Sequence, residues 1–190
     1  MKVSGVLKLL LLSIITAGCA TISVSSDYDP NANFTALKTY SWAGPQPITG
    51  NPRLDNDILH SRIRAAVERE LAAKGYQKVT DGSADFKVAY HVSLDDKLDV
   101  TTFNYYDYGY PSNYYGNRGF YHGGAAWPQT DTYVYQYEEG TLLLDMVDPT
   151  TKKLIWRGSA KTEVDASQSS EKKEAKINKA VHKLLEHFPR

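Results

Sequence analysis

The chain has 190 residues, 42% hydrophobic and 23% charged, the size and balance of one globular domain. Its 22 basic and 22 acidic side chains leave a formal net charge of zero, which argues against the basic footprint that holds nucleic acid. Cys19 is the only cysteine, so no disulfide forms within the chain, and past the N-terminus no run of about 20 residues is apolar enough to span a bilayer.

Lys2 and Lys8 make a basic start, and Leu9 to Ala17 is an apolar run of secretory-signal length. Thr16-Ala17-Gly18-Cys19 then resembles the lipobox of bacterial lipoproteins, with Thr16 where that pattern prefers Leu. The resemblance implies a signal peptide over residues 1–18 that is removed, and lipidation of Cys19 by a diacylglyceryl group and further acyl chains such as palmitate. The rival reading is an ordinary signal peptide beside an unpaired thiol. Cleavage takes away Lys2 and Lys8, so 22 basic groups become 20 against 22 acids, a net of −2. One acyl chain binds a membrane marginally, at about 0.8 kcal/mol per buried methylene, whereas two or three make attachment effectively permanent. Ala20 stands where Asp would resemble the inner-membrane retention signal. The expected location is therefore the periplasmic face of the outer membrane of a Gram-negative envelope.

Ile22 to Tyr28 carries β-branched residues in alternation and reads as a strand, which leaves residues 19–21 as a tether of roughly 10 Å. Asp29-Pro30-Asn31 is a turn and Lys38 to Ala43 a second strand, with Tyr40 and Trp42 on one face. Asp55 to Lys74 is a helix: Leu59, Ile63, Val67 and Leu71 recur every four residues, Asp55 and Asn56 offer caps, and Gly75 ends it. Tyr76 to Val79 is a short strand. Phe86, Val88, Tyr90, Val92 and Leu94 alternate with mostly polar residues, and the phase resumes at Leu98, Val100 and Thr102, so this strand is long or bent at Asp95-Asp96.

Phe103 to Tyr137 holds ten of the 14 tyrosines. Asn104 to Gln129, dense in Tyr, Gly and Asn, reads as a long irregular loop, and such loops are usually functional or disordered. Tyr133, Tyr135 and Tyr137 alternate as in a strand. Gly140 to Val147 and Leu154 to Glu163 are strands flanking a hairpin turn at Asp148 to Lys152. Ser169 or Ser170 caps a last helix whose apolar stripe is Ile177, Ala180, Val181, Leu184, Leu185 and Phe188. Seven strands and two helices are thus expected in one domain over residues 22–190. Two amphipathic helices must both bury a stripe, which predicts an α+β fold: one mainly antiparallel sheet with both helices packed on one face.

Several strings resemble a bacterial lipoprotein family known as domain of unknown function 4136. They are Asp27-Tyr28-Asp29 with Asn33-Phe34, Lys38 to Trp42, Pro52 to Asn56, Ile63 to Leu71, Lys74-Gly75-Tyr76, Asp85 with Val88 to His91, Glu138 to Leu142, Asp145, Val147-Asp148 and Leu154 to Gly158. The resemblance covers nearly the whole mature chain. It implies an envelope lipoprotein with a variable Gly/Tyr-rich insertion, and no reaction or catalytic residue.

Candidate chemistry is sparse. Asp27 to Asn33 spaces oxygens like the start of a calcium loop, but Ala32 replaces the glycine of the sharp turn and Lys38 the bidentate Glu, so a turn rich in Asx caps explains it better. None of the five histidines makes an i, i+4 pair with a ligand-type partner on a plausible site, and Asp95-Asp96 and Glu138-Glu139 each point to opposite faces of a strand. No nucleophile elbow or phosphate loop is present. The expectation is a non-enzyme without cofactor or metal, apart from lipid on Cys19. Its candidate binding surface is aromatic: Tyr105, Tyr106, Tyr108, Tyr110, Tyr114, Tyr115, Tyr121, Trp127, Tyr133, Tyr135 and Tyr137. Besides the membrane, its partner is an envelope protein or component bound by an interaction module. The alternatives are a glycan or peptidoglycan module using the same rings, rings resting among lipid headgroups, and an envelope enzyme.

Overall fold

A computed structural model describes residues 21–80, 83–107 and 127–189. In chain order these residues form β1 (Ser23–Tyr28), a 3-10 turn (Phe34–Ala36), β2 (Thr39–Trp42), α1 (Asp57–Ala73), β3 (Gln77–Lys78), β4 (Phe86–Asp107), β5 (Trp127–Val147), β6 (Leu154–Val164) and α2 (Ser170–Glu186). The strands make one sheet in the order β1-β6-β5-β4-β2-β3. Its ladders are antiparallel except where β2 pairs β3 and β4. This is the α+β architecture that two apolar helix stripes demand.

Local chemistry sets the element ends. The Asn56 side chain accepts from the Leu59 N–H and caps α1, and Gly75, at φ +91°, follows its last turn. The Ser169 hydroxyl caps α2. Between β5 and β6 the Asp148 carboxylate accepts from the Thr150 and Thr151 N–H groups, which holds it below the ordinary carboxylate range.

Two expectations change. Tyr133 to Tyr137 and Gly140 to Val147 are one strand, not two, because Glu138 and Glu139 keep the ladder intact against Asp96 and Asp95 on one side and Val164 and Glu163 on the other. Six strands therefore replace the expected seven among the described residues. The expected loop over Asn104 to Gln129 is strand at both of its ends: Asn104 pairs Thr130, Tyr105 pairs Gln129, and the ladder continues to Asp107 with Trp127, while residues 108–126 lie outside the described residues. Its polar and aromatic residues lack the apolar alternation that marks a strand with a buried face, so the pairing is invisible to pattern reading.

The inner sheet face carries Val88, Tyr90, Leu142, Leu144, Met146, Trp156 and Ala160, all buried. Onto it α1 lays Ile63, Ala66, Val67 and Leu71, and α2 lays Ala180, Val181, Leu184 and Leu185. The Arg62–Glu174 and Glu70–His182 pairs advance together along the two helices, so the helices run parallel and start at the same end of the sheet. At the other end Phe188 meets the rings of Phe34, Tyr76, Phe86 and Trp156 at centroid distances of 5.3 to 5.8 Å.

Beside this cluster the Trp156 indole lies across Gly158, where an added Cβ falls 2.4 Å from the ring and 2.7 Å from Leu184. Gly158→Ala is expected to destabilise the domain by about 1–3 kcal/mol through overpacking, measured by urea denaturation; an unchanged midpoint refutes the close approach. The Glu70 carboxylate, hydrogen-bonded to His182, raises the histidine above its ordinary value. A raised folded value stabilises below the unfolded value of 6.5 and loses that contribution as pH rises through the folded one. His182→Gln should therefore flatten a small decline in urea midpoint between about pH 6 and pH 8; an identical slope in both proteins removes the link.

Candidate functional site

The last β5–β6 pair is Glu138 against Val164; past it, among the described residues, β4 and β5 pair only with each other, from Lys97↔Tyr137 to Asp107↔Trp127. Ten residue steps at about 3.4 Å give a two-stranded ribbon of roughly 34 Å. Period-2 geometry assigns its side chains to faces. Phe103, Tyr133, Tyr135 and Tyr137 continue the outer face, and Leu98, Val100 and Val134 the face that holds the helices further back. Six of these (Leu98, Val100, Phe103, Tyr133, Val134 and Tyr135) are 55–66% exposed. An isolated two-stranded ribbon is marginally stable in water, and apolar side chains on both of its faces make it a surface for something else.

Of the aromatic candidates, the structure places three side chains. Tyr135 and Tyr137 stack at 5.7 Å, and Tyr133 meets the Phe103 ring edge-on at 5.9 Å. The Tyr135 hydroxyl donates to Glu163 at 2.7 Å, and this bond to the carboxylate raises the phenol above its ordinary value. The backbones of Tyr105, Tyr106 and Trp127 belong to the paired strands. Tyr108, Tyr110, Tyr114, Tyr115 and Tyr121, like Cys19, lie outside the described residues.

Register also brings the acids together across strands. Asp95 faces Glu139, which faces Glu163, in a row on the outer face; Asp96 faces Glu138 on the inner one. Sequence reading saw only that neighbours point apart and missed this juxtaposition, which depends on pairing. Cations answer the charge: Arg53 bonds Glu138 through both guanidinium nitrogens, and Lys97 lies 3.9 Å from Glu139. No group of three His, Cys, Asp or Glu among the described residues has the arrangement of a metal site. The Asp29 carboxylate accepts from both nitrogens of Asn31, the Asx turn expected of that segment. Buried His60 is bound to the Tyr90 hydroxyl at 2.8 Å.

Sequence reading gave no sign of a cavity of about 610 Å³ between the sheet and the first halves of both helices. Leu59 and Ile63 of α1 and Ile177 and Ala180 of α2 wall it, over a floor of Val92, Leu94, Leu142 and Ala160. Small residues keep it open. Ala160 and Ala180 stand where larger side chains would fill it, and Gly140 leaves room for Val164, whose Cγ2 lies 2.6 Å from where a Cβ would sit. Arg53, Arg62, Lys173 and Lys176 border it. A smaller cavity of about 250 Å³ lies near Trp42, over which the Arg64 guanidinium sits 4.7 Å from the ring centre.

Ribbon, cavity and the start of β1 share one end of the described structure. β1 begins with Ser23 opposite Lys161, near the end of β6, so Ile22 leaves toward the side from which the ribbon projects and where both helices begin.

Residues 24–190 match the family described as Domain of unknown function (DUF4136). No curated protein matches the sequence. A PDZ domain protein from Parabacteroides distasonis ATCC 8503 has a similar fold over 89% of this chain, with a TM-score of 0.52 and 13% identity; the chain spans 36% of that protein's length. Two dodecamer structures of PelC from Paraburkholderia phytofirmans each align with 87% of this chain and 95% of their own, at a TM-score of 0.47 and 12% or 8% identity.

If the ribbon is a surface rather than a support, its side chains are dispensable for folding. Replacing Phe103, Tyr133 and Tyr135 together by Ser should shift the thermal midpoint by no more than about 2 °C, since exposed positions away from packed features change stability by about 0.5 kcal/mol or less; a large loss would make the ribbon part of the fold's support.

Proposed function

The chain belongs to the family of domain of unknown function 4136, and from that premise we propose that it is a lipoprotein of the outer membrane, anchored through Cys19, whose domain is a non-enzymatic binding module of the cell envelope. The observation that carries the reading is the ribbon: six exposed apolar side chains on both faces of a two-stranded extension, at the end where β1 begins. Such side chains are costly in water and gain most when a partner covers them. Phe103 and Tyr133 supply rigid rings, which dominate contact energies where they are buried.

The anchor supports the same reading from the sequence side. A tether of three residues keeps the domain close to the bilayer, and the ribbon then works near the inner leaflet of the outer membrane. Its open backbone edges keep it out of the hydrocarbon, where unpaired N–H and C=O groups cost several kcal/mol each.

The stacked Tyr135–Tyr137 pair is the specific observation behind the second reading, a glycan or peptidoglycan module, because sugar rings pack on such aromatic surfaces. A photo-crosslinking residue at Val134 in living cells, with exposed Lys172 as the control position, separates the two. A discrete protein adduct at Val134 alone, lost in the Phe103, Tyr133 and Tyr135 triple Ser variant, supports a protein partner. Co-sedimentation with purified peptidoglycan that the triple variant abolishes supports the glycan module. No adduct and no sedimentation overturns both.

The anchor has its own test. Metabolic labelling with alkyne-palmitate should mark the wild-type protein and leave Cys19→Ala unmarked; equal labelling of the two proteins rejects lipidation at Cys19.

A further inference from the structure

The cavity under the helices invites a ligand class that the ribbon does not. Its volume of about 610 Å³ lies within the range of small-molecule sites, about 300–1,000 Å³, and its walls and floor are aliphatic. Aliphatic walls without a deep polar anchor suit an acyl chain better than a sugar or a nucleotide. The charged border is one-sided: Arg53, Arg62, Lys173 and Lys176 against the single carboxylate Asp165.

The acids around this border are already engaged. Arg53 holds Glu138, Arg62 approaches Glu174 at 3.7 Å, and Asp165 accepts from both the backbone N–H and the hydroxyl of Ser167. The Lys173 and Lys176 ammonium groups, by contrast, donate to the backbone carbonyls of Ala166 and Glu163. Each has two further donors at the mouth, where the Ser167 bonds and the two ammonium groups together hold the one carboxylate, Asp165, below its ordinary range, and cations still outnumber it. Both helices also begin there, which adds positive potential.

We propose that this cavity binds a single-chain anionic amphiphile, a long-chain fatty acid or a lysophospholipid, with its tail between the helices and the sheet and its head at Lys173 and Lys176. The ligand is independent of the ribbon's partner and of the Cys19 lipid, so failure here leaves the proposed function standing.

The test uses the full chain carrying Cys19→Ala, free of acyl groups of its own, with dansyl-undecanoate as the fluorescent probe. One saturable site is expected, from which palmitate displaces the probe. Hexadecanol, with the same tail and no charge, should compete about tenfold less well. Each buried methylene is worth about fourfold in affinity, so myristate, two methylenes shorter, should bind about fifteenfold more weakly than palmitate. Lys173→Glu with Lys176→Glu, both at the border, should weaken palmitate about tenfold at an unchanged thermal midpoint. Ala180→Phe should block the tail; if it lowers the midpoint, the border variant alone decides. Tighter competition by palmitate than by lysophosphatidylglycerol assigns the site to free fatty acid, and the reverse order to the lysolipid. No saturable binding, equal competition by hexadecanol, or palmitate affinity unmoved in the border variant overturns the proposal.

Discussion

The ladder between β4 and β5 is the constraint on which the molecule depends. It runs unbroken from Lys87↔Val147 to Asp107↔Trp127 and serves two environments with one alternation. In the body it turns Val88, Tyr90, Leu142, Leu144 and Met146 toward the helices and leaves Lys87, His91 and Ser93 outside. Past Glu138 the same alternation continues with, among the described residues, no helix above it and no third strand beside it, and Leu98, Val100 and Val134 are exposed. A slip of one residue would exchange the faces along the whole length and expel Leu144 and Met146 from the core. The buried half therefore fixes the register that the exposed half displays.

The parallel course of α1 and α2 follows from the connection after β6. Five residues, 165–169, turn the chain back at the end where β4 leaves the body, so α2 begins there, and the Arg62–Glu174 and Glu70–His182 pairs hold α1 in the same direction. Packing is complete toward the helix C-termini, where Phe188 fills the space among Phe34, Tyr76, Phe86 and Trp156. It is incomplete toward the N-termini, where Ala160 and Ala180 line the space. Core interiors are normally filled to crystal-like density, and this end of the helix layer, bordered by lysines and arginines, departs from that.

Most of the body was legible because its elements obey simple periods. The stripes Leu59, Ile63, Val67, Leu71 and Ala180, Val181, Leu184, Leu185 announce two helices with one buried side each, and that alone predicts a sheet beneath both. The candidate site was legible only in part. Tyr133, Tyr135 and Tyr137 stood out as an alternating row, and the structure exposes Tyr133 and Tyr135. The extent of the ribbon did not, because Asn104 to Asp107 and Trp127 to Gln129 have neither aliphatic alternation nor a buried face, and their extended form comes from pairing with each other. The Glu138-Glu139-Gly140 segment misled for a related reason: charge and glycine look like punctuation, yet ion pairs with Arg53 and Lys97 and the packing of Val164 over Gly140 carry the strand through it.

By itself, then, the sequence determined the lipobox-like context of Cys19, the family, the number and polarity of the helices, and which residues of each element seek the interior, since each of these is written in residues close together along the chain. Tertiary structure alone decided that Asp95, Glu139 and Glu163 form a row, that β4 and β5 outrun β6, and that Leu59, Val92 and Ile177 surround one cavity. Those facts depend on register and on the relative direction of packed elements, which short-range periodicity does not encode and which long-range burial selects.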